Sequence, residues 1–245
     1  MALFGGGKKK TCTFCGGKAG LFSSRKMADG ELVCDSCRED ASAWLEAEAV
    51  DRARMAANME QMKRNDAFLL AALGNYTEQS HMDEKFHFAT HHGRVLFFDE
   101  IGMFGLEDTD RDPSRVELFR YDQIAEYTSR TANPLMYKSE DFPMKRAAVE
   151  FKLRGHPFLE SVEVQYVDRV GEEAKDFVVY AVNDTIKHFD EILGPPAKRL
   201  PDPVTVMFGN TFADVGRKVG PEQAERIAAL TQLADAAEER WGKIF

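Results

Sequence analysis

The apolar positions of this chain are spaced in two ways, and each spacing predicts a different kind of element. From Cys37 to Leu73 there is no Gly or Pro, and Ala, Glu, Met, Arg and Lys predominate, which favours a long helix. We expect that helix to begin directly after Ser36, because Ser36 and Glu39 form an S-x-x-E capping box. A break is predicted near Arg64–Asp66, where a polar side chain can cap a second helical piece.

One face of the long helix carries methionines. Met55, Met59 and Met62 recur at i, i+4 and i+7 and therefore lie on the same face. A methionine stripe of this kind serves either as a groove for partner proteins or as the packed face of the helix. We expect the packed face, which is the commoner case.

Beyond Gly74 and Asn75 the apolar residues alternate with a period of two, which is typical of strands. Residues 86–106 (FHFATHHGRVLFFDEIGMFGL) are expected to form two or three strands, with turns at His92–Gly93 and Asp99–Glu100. Further strands are predicted for RVELFRY, AAVEFKL, SVEVQYV, DFVVYAV and DPVTVMF. The middle of the chain is therefore expected to be rich in antiparallel sheet.

Two more helices and one turn are predicted towards the C-terminal end. NDTIKHFDEIL predicts a short helix, with Ile186, Phe189 and Leu193 on one face. GNTFADVGRKVG (209–220) matches no nucleotide-binding loop and is expected to be a turn. A last helix begins at Pro221. Its apolar residues form a coiled-coil-like seam of Ile227, Leu230, Ala234, Ala237 and Trp241. Either the methionine face or a second copy of the chain should cover this seam, so a homodimer through this helix is one expectation.

All four cysteines lie in one stretch, CTFCGGKAGLFSSRKMADGELVCDSC, with the spacing C-x2-C-x18-C-x2-C. This spacing predicts a zinc site formed by Cys12, Cys15, Cys34 and Cys37, because two CxxC turns together supply four tetrahedral thiolates. A disulfide framework would suit an exported chain, and no export signal is recognisable here. A redox CxxC would sit once in a βαβ unit, and no such unit is predicted. A closed four-thiolate site supports structure and does not activate water.

These residues resemble a known family. The two CxxC turns flanking ADGELVC, after a short MALFGGGKKK lead, are similar to the N-terminal zinc ribbon of a bacterial and phage family of domains of unknown function. The resemblance implies that the four cysteines are the metal ligands. The strand order from about Phe86 to Leu193 also resembles bacterial pleckstrin-homology-like domains, which are bent antiparallel sheets capped by a helix. That second resemblance implies a general binding platform, mostly for proteins.

The predicted fold class is therefore α+β. We expect a zinc ribbon over residues 1–38, a helical connector over 39–75, a β-rich pleckstrin-homology-like domain over 80–195, and a strand and C-terminal helix over 196–245. With 245 residues the chain is long enough to bury a sizeable core.

The formal net charge of −9 is unevenly distributed, because the N-terminal end of the chain is basic. Residues 1–38 hold seven cations against the three acids Asp29, Glu31 and Asp35; the cations are Lys8, Lys9, Lys10, Lys18, Arg25, Lys26 and Arg38. The acidic remainder argues against a protein that coats nucleic acid over its whole surface. Since no apolar run is long enough to span a bilayer, we expect a cytoplasmic protein without a membrane partner.

The function expected from these patterns is non-enzymatic protein binding or scaffolding, with an unidentified protein as partner. Phe14, Leu21 and Phe22 are the candidate contacts, because a module this small has little core in which to bury them. The alternative is nucleic-acid binding by the basic residues of the ribbon, Lys8, Lys9, Lys10, Lys18, Arg25 and Lys26. No G-x-S-x-G or H-E-x-x-H motif occurs, so we expect no enzyme.

Overall fold

The computed structural model describes residues 10–73, 90–92, 94–108, 114–134, 146–167, 172–194, 205–207 and 210–245. The chain divides into two compact units. The first, called the N-terminal unit, runs as far as Asp66 and also includes Ile244–Phe245. The second, called the sheet unit, comprises Ala67–Lys243. Helices and sheets are both present, as the predicted α+β class requires.

The N-terminal unit contains a small antiparallel hairpin of β1 (Ser24–Lys26) and β2 (Leu32–Cys34). Its turn is closed by the N–H of Gly30, which donates to the carbonyl of Met27 at 2.9 Å. Gly30 has a φ of +87°, a left-handed conformation that glycine adopts without strain. Ala28–Gly30 therefore form the tight turn of this hairpin.

The helix expected to start after Ser36 is wrong in its extent. A single turn, α1 (Asp35–Arg38), follows the hairpin directly, and no side chain caps it. The capping box of Ser36 and Glu39 does not form, because the helix begins one residue before Ser36. The chain then runs through a 3-10 turn at Ala47–Ala49 before the long helix begins.

The start of the long helix, α2 (Arg52–Leu73), is set by Asp51. Its Oδ1 accepts the N–H of Arg54 at 2.8 Å, which satisfies one of the free donors of the first turn. The segment before it buries small and apolar side chains, namely Ala41, Ser42, Leu45, Ala47 and Val50. Burial of these side chains in an irregular segment explains why a stretch without Gly or Pro is not helical throughout.

α2 is continuous, so the break predicted near Arg64–Asp66 is also wrong. The Nδ2 of Asn65 donates to the Oδ1 of Asp66 at 3.2 Å, and neither side chain starts a new helix. Met55, Met59 and Met62 are buried, which confirms the packed face. Near the end of the N-terminal unit, Nε of Arg64 donates to the carbonyl of Ile244 at 3.3 Å.

Two antiparallel sheets form the sheet unit. Their strands are β3 (Thr90–His92), β4 (Val95–Phe98), β5 (Met103–Asp108), β6 (Arg115–Arg120), β7 (Ile124–Pro134), β8 (Arg146–Leu153), β9 (Ser161–Val167), β10 (Thr205–Met207) and β11 (Asn210–Lys218). One sheet has the order β3-β4-β5-β6, and the other has the order β10-β11-β7-β8-β9. The strands predicted for RVELFRY, AAVEFKL, SVEVQYV and DPVTVMF are confirmed as β6, β8, β9 and β10. The predicted turn after β4 is the 3-10 turn Asp99–Ile101, whereas Gly93 of the other predicted turn lies outside the described residues.

The segment DFVVYAV is helical, so its assignment as a strand was wrong. It lies within α3 (Glu172–Leu193), which extends the short helix predicted for NDTIKHFDEIL. The buried positions of the described half recur every three or four residues, at Ala181, Val182, Thr185, Ile186, Phe189 and Leu193. This helical period overrides the β-preference of the apolar run, and it confirms the predicted face of Ile186, Phe189 and Leu193.

Two strands were missed by the sequence pattern. β7 is flanked by β11 and β8, yet its sequence IAEYTSRTANP is largely polar. Thr128 and Ser129 are buried there, which the alternation of apolar residues does not anticipate. β11 replaces the turn expected over 209–220, and it pairs with β7 from Asn210↔Pro134 to Lys218↔Glu126.

An aromatic cluster forms the core of the sheet unit, with Phe189 of α3 at its centre. The ring of Phe189 is fully buried, and its centroid lies 5.0 to 5.9 Å from those of five others: Phe97, Phe104, Tyr121, Tyr127 and Phe151. These rings belong to both sheets or to the turn that follows β6. Through Phe189, α3 therefore closes the space between the sheets.

The predicted last helix is confirmed as α4 (Ala224–Trp241), but it begins three residues later than expected, because Pro221–Gln223 forms a 3-10 turn. The seam residues Leu230, Ala234 and Ala237 are buried. Their backbone lies against Gly102: a Cβ at that position would come within 2.2 Å of the carbonyl oxygen of Leu230. The sheet unit therefore covers part of the seam itself, and the homodimer through this helix stays a prediction.

Arg120 holds α4 in place through ion pairs with acidic side chains. Its guanidinium donates to Glu238 at 3.1 Å and to Asp235 at 2.8 Å on the helix, and to Asp122 at 2.9 Å on the neighbouring turn. Thr231 of the helix also donates to Asp122 at 3.1 Å. A nearly buried guanidinium with three carboxylates is fully paired, so it orients the helix without leaving an isolated charge.

The close approach at Gly102 gives a first prediction. Gly102→Ala should lower the free energy of unfolding by about 1–2 kcal/mol through left-handed strain, and by about 1–3 kcal/mol more through the clash with α4. Gly155→Ala is the matched control, because Gly155 has a similar φ of +69° but no atom within 4 Å of the added Cβ. Denaturant unfolding of both variants measures the difference, and equal losses would contradict the close contact.

A buried histidine gives a pH-dependent prediction. His156 packs against Phe119, and its Nδ1 accepts the N–H of Leu159 at 3.0 Å. Burial lowers the pKa of His156 from 6.5 to about 4. The unfolded chain takes up this proton below 6.5 and the folded chain only near 4, so the unfolding free energy should fall by about 2–3 kcal/mol across that interval.

The pH effect is measured by chemical unfolding between pH 7 and 4, compared with His156→Asn. Asparagine keeps an acceptor near the Nδ1 position and does not titrate. The variant should therefore show a shallower loss of stability on acidification. Identical slopes would mean that His156 does not control this transition.

Candidate metal centre

The first CxxC turn is built around Cys12. The N–H of Cys12 donates to the carbonyl of Gly17 at 2.8 Å, and the N–H of Gly16 donates back to the carbonyl of Cys12 at 2.9 Å. Gly16 has a φ of +69°, so the turn uses the left-handed conformation that glycine permits. The N–H of Gly17 also points at the sulfur of Cys15, 3.4 Å away. The two glycines after Cys15 therefore shape this turn.

The second CxxC turn joins the hairpin to α1. Cys34 ends β2, and Cys37 lies in the single turn of α1. The N–H of Cys34 donates to the sulfur of Cys12 at 3.4 Å, which ties the two turns together. A slip of the hairpin register would therefore move a sulfur as well as a strand.

The four Sγ atoms of Cys12, Cys15, Cys34 and Cys37 all lie within 4.8 Å of one another. Cys15 and Cys34 are 3.7 Å apart, far longer than a disulfide bond, and all four cysteines are free. A tetrahedron with metal–sulfur bonds of about 2.3 Å has edges of about 3.8 Å. The cluster therefore has the dimensions of a four-thiolate metal site.

The thiols of this cluster differ in acidity. Desolvation raises the pKa of Cys12, but hydrogen bonds from the N–H groups of Cys15, Cys34 and Phe14 outweigh it and lower the pKa to about 6. The pKa of Cys37 is raised by desolvation and by its hydrogen bonds to the other sulfurs. Without a cation Cys12 therefore ionises readily, whereas Cys37 resists ionisation. A divalent cation removes that resistance, so metal binding should release protons.

The cluster leaves no ligand position open. Cys12 is buried, Cys34 and Cys37 are half-buried, and Cys15 is exposed. Four sulfurs complete a tetrahedral shell, which can hold a cation but offers no site for water or substrate. Within the described ranges, no other group of three or more His, Cys, Asp or Glu ligand atoms converges in this way.

Residues that sequence reasoning missed anchor the hairpin to the start of α2. The N–H of Ala28 donates to the carbonyl of Val50 at 2.9 Å, and the N–H of Arg52 donates to the carboxylate of Asp29 at 2.8 Å. These N–H donors, Arg52 first and Glu31 second, lower the pKa of Asp29. Thr13 of the first CxxC turn also donates to Glu31. An Asp-Gly turn was the only sequence signal for this anchoring.

The candidate partner residues lie on the same hairpin module but are unequally exposed. Phe14 is half-buried, whereas Leu21 and Phe22 expose 78% and 90% of their surface. The basic candidates Lys10, Lys18, Arg25 and Lys26 are exposed, and Lys8 and Lys9 lie outside the described residues. The module that holds the cysteine cluster thus displays an apolar pair and several cations to solvent.

Among the described residues no helix has the length and apolarity needed to cross a membrane.

Comparison with known proteins places the cysteine cluster in a recognised domain family. No curated protein and no solved structure matches the chain. Residues 11–65 match the family described as Domain of unknown function (DUF4428). The match includes all four cysteines. It ends one residue before Asp66, where the first segment of the N-terminal unit ends. Residues 11–65 of this chain are thus a DUF4428 domain that carries a possible four-cysteine metal site.

Proposed function

We propose that this chain is a non-enzymatic binding or scaffolding protein whose N-terminal unit is held together by a structural zinc ion. The observation that carries the proposal is the convergence of four sulfurs within 4.8 Å in a module that also displays two exposed apolar side chains. A closed four-thiolate shell stabilises structure without catalysing a reaction. The work of the unit is therefore to present Phe14, Leu21 and Phe22 to a partner.

Zinc is the metal that this site fits best. Four thiolates in a tetrahedron suit zinc, and a single iron ion is the alternative. Structural zinc sites of the four-cysteine type are formed by paired CxxC turns, as here. Free thiols also fit a reducing, cytoplasmic location. The resemblance of the ribbon to a bacterial and phage family supports an origin in one of those sources.

The sheet unit supports the binding role. Four strands, three further strands and a closing helix follow one another as β3–β6, β7–β9 and α3. This order supports the resemblance to bacterial pleckstrin-homology-like domains, which act as platforms mostly for proteins. The hairpin β10–β11 extends the second sheet beyond that pattern. We assign protein binding to this platform.

Metal analysis tests the zinc assignment. The purified full chain should contain about one zinc per molecule and no visible absorbance. Replacement by Co²⁺ should give the d–d bands of a tetrahedral site and sulfur-to-cobalt charge-transfer bands. A red, iron-containing protein would make iron the metal, and a chain that takes up neither metal would overturn the proposal.

The binding role is tested by proximity labelling in cells with the intact chain and with Cys12→Ser/Cys15→Ser. Proteins labelled by the intact chain but lost from the variant depend on the folded N-terminal unit. Proteins labelled by both the intact chain and the Cys12→Ser/Cys15→Ser variant depend on the sheet unit. A chain that enriches no protein over an unrelated control of similar size would contradict a scaffolding role.

Nucleic-acid binding is a second candidate because Lys10, Lys18, Arg25 and Lys26 are all exposed. It predicts retention of the protein on DNA or RNA that weakens steeply as salt is raised. Four thiolates with Zn²⁺ carry a charge of about −2, which offsets part of this basic surface. Absence of retention even at low salt would dismiss this candidate.

A further inference from the structure

The loop that follows the first CxxC turn displays two adjacent apolar side chains in solvent. This loop, Gly20–Ser24, is called the tip loop. Leu21 is 78% exposed and Phe22 is 90% exposed, the two highest values among the large apolar residues that the structure describes. Exposure of this degree at two adjacent positions needs a reason, because single exposed apolar residues are normal and clusters are not.

The exposure of Leu21 and Phe22 does not result from a loosely held loop. The Oγ of Ser24 donates to the carbonyl of Gly20 at 2.6 Å and closes the tip loop at its base. The N–H of Asp35 donates to the carbonyl of Ser23 at 3.2 Å, which fixes the loop to the start of α1. Ala19, just before the loop, is buried. The fold therefore holds the tip loop in place and directs its two apolar residues outwards.

Cations flank this apolar pair in the sequence. Lys18 and Arg25 lie three residues before and three residues after the pair, and both are exposed. The N–H of Ala19 donates to the carbonyl of Lys10 at 2.9 Å, which brings the exposed Lys10 beside the same loop. From Lys10 to Lys26 the sequence contains four cations and no carboxylate.

Two of the three nearest acids along the chain, Asp29 and Glu31, are engaged elsewhere. Asp29 and Glu31 lie beyond the far end of β1, where Arg52 and Thr13 are their partners. The third, Asp35, is half-buried, and its backbone N–H donates to the carbonyl of Ser23 at the base of the tip loop. The residues that flank Leu21 and Phe22 along the chain are therefore mainly basic, opposed by Asp35 and by the charge of about −2 of a zinc–thiolate cluster, in a protein whose formal net charge is −9. Charge complementarity therefore favours an anionic partner.

We propose that the tip loop is a membrane-docking element that inserts Leu21 and Phe22 between the head groups of an anionic bilayer while Lys10, Lys18 and Arg25 contact lipid phosphates. The inference rests on the proposed function in that the N-terminal unit presents these side chains. Surface attachment of this kind combines a small apolar anchor with basic residues, and neither suffices alone. Surface attachment needs no membrane-spanning helix. The expectation of no membrane partner rests only on the lack of such a helix, so it does not cover this kind of contact.

A bilayer explains more of the surface than the other anionic partners do. Nucleic acid would use Phe22 for stacking and would leave Leu21 without a role, because single strands are bound on aromatic platforms. A protein pocket would accept both apolar residues but does not require cations on both sides of them. The sequence repeats the same order once, in Leu3–Phe4, three glycines and Lys8–Lys10, and of these residues Lys10 alone belongs to the proposed surface.

Vesicle sedimentation tests the proposal on the zinc-loaded full chain. Binding to phosphatidylcholine vesicles should be weak, and binding should rise when phosphatidylserine is included and fall with added NaCl. Leu21→Ser/Phe22→Ser should lower the partition coefficient at least about tenfold. Lys18→Gln/Arg25→Gln should lower it by about fivefold for each charge removed.

The matched control is Leu70→Ser/Leu233→Ser, which removes two apolar side chains that are 58% and 42% exposed elsewhere in the chain. It should leave vesicle binding unchanged. As a second measurement, Phe22→Trp should add a tryptophan emission that shifts to the blue on phosphatidylserine vesicles. The wild type, which contains Trp44 and Trp241, provides the baseline.

Three results would overturn the proposal: no sedimentation with phosphatidylserine vesicles, equal binding by the Leu21→Ser/Phe22→Ser variant, or loop-dependent binding to an oligonucleotide without binding to vesicles. Zinc content and circular dichroism are measured on every sample. If the chain is folded and holds zinc but does not bind vesicles, only the membrane contact is disproved. A chain that never holds metal disproves the proposed zinc-stabilised unit instead.

Discussion

Replacing Cys12 with serine should remove the bound metal and unfold the hairpin of the N-terminal unit. Cys12 is the only buried ligand of the four, and its sulfur also accepts the N–H of Cys34. Structural zinc contributes about 10–16 kcal/mol of apparent binding free energy in small zinc-stabilised peptides. The two short strands β1 and β2 supply too little buried surface to replace that contribution.

Metal content and hydrogen exchange measure this effect. The zinc content should fall from about one per chain to near zero, and the amides of residues 10–38 should lose protection. Ser36→Ala is the matched control, since Ser36 is exposed between two ligands and caps no helix. It should keep both zinc and protection. A Cys12→Ser chain that retains stoichiometric zinc and a protected hairpin would show that the cluster is not a four-thiolate site.

Phe189→Ala should destabilise the sheet unit by about 3–5 kcal/mol. The ring is fully buried, and five other aromatic rings surround it at centroid distances of 5.0 to 5.9 Å. Truncation removes the apolar surface of the ring and leaves a cavity that rigid aromatic neighbours fill poorly. The edge-to-face contacts with Phe97 and Phe104 are lost as well.

Chemical unfolding followed by near-UV circular dichroism measures this loss. Phe22→Ala is the matched control, because it is the same substitution at a side chain that is 90% exposed. Its effect should stay within about 0.5 kcal/mol. A small effect of Phe189→Ala would mean that α3 does not close the aromatic core.

The cysteine cluster could be predicted from the sequence because its information is local. The spacing of Cys12, Cys15, Cys34 and Cys37 and the glycines beside them indicate the two turns and the hairpin without reference to the rest of the chain. The anchoring of Asp29 to Arg52 could not be predicted in the same way. It depends on contacts between segments more than twenty residues apart, and an Asp-Gly turn gives no sign of its partner.

The helix boundaries and two strands show where local patterns fail. Ser36 and Glu39 satisfy a capping motif, but Cys34 must place its sulfur in the cluster, and the helical turn starts directly after it. β7 forms a strand despite its polar sequence because it pairs with a strand on each side and buries hydroxyl side chains such as those of Thr128 and Ser129. DFVVYAV has strong β-propensity, but packing around Phe189 in α3 decides its conformation.

The assignment of Ile244–Phe245 to the N-terminal unit makes that unit discontinuous in sequence. The whole sheet unit is then an insertion, bounded by Asp66 on one side and Ile244 on the other. Ile244 is fully buried, and its carbonyl accepts a hydrogen bond from Arg64. A fragment cut after residue 66 would lack this contact, and so would any domain definition that ends at 65. A minimal version of the N-terminal unit should therefore be built by joining Asp66 to the last residues through a short flexible linker, rather than by truncation.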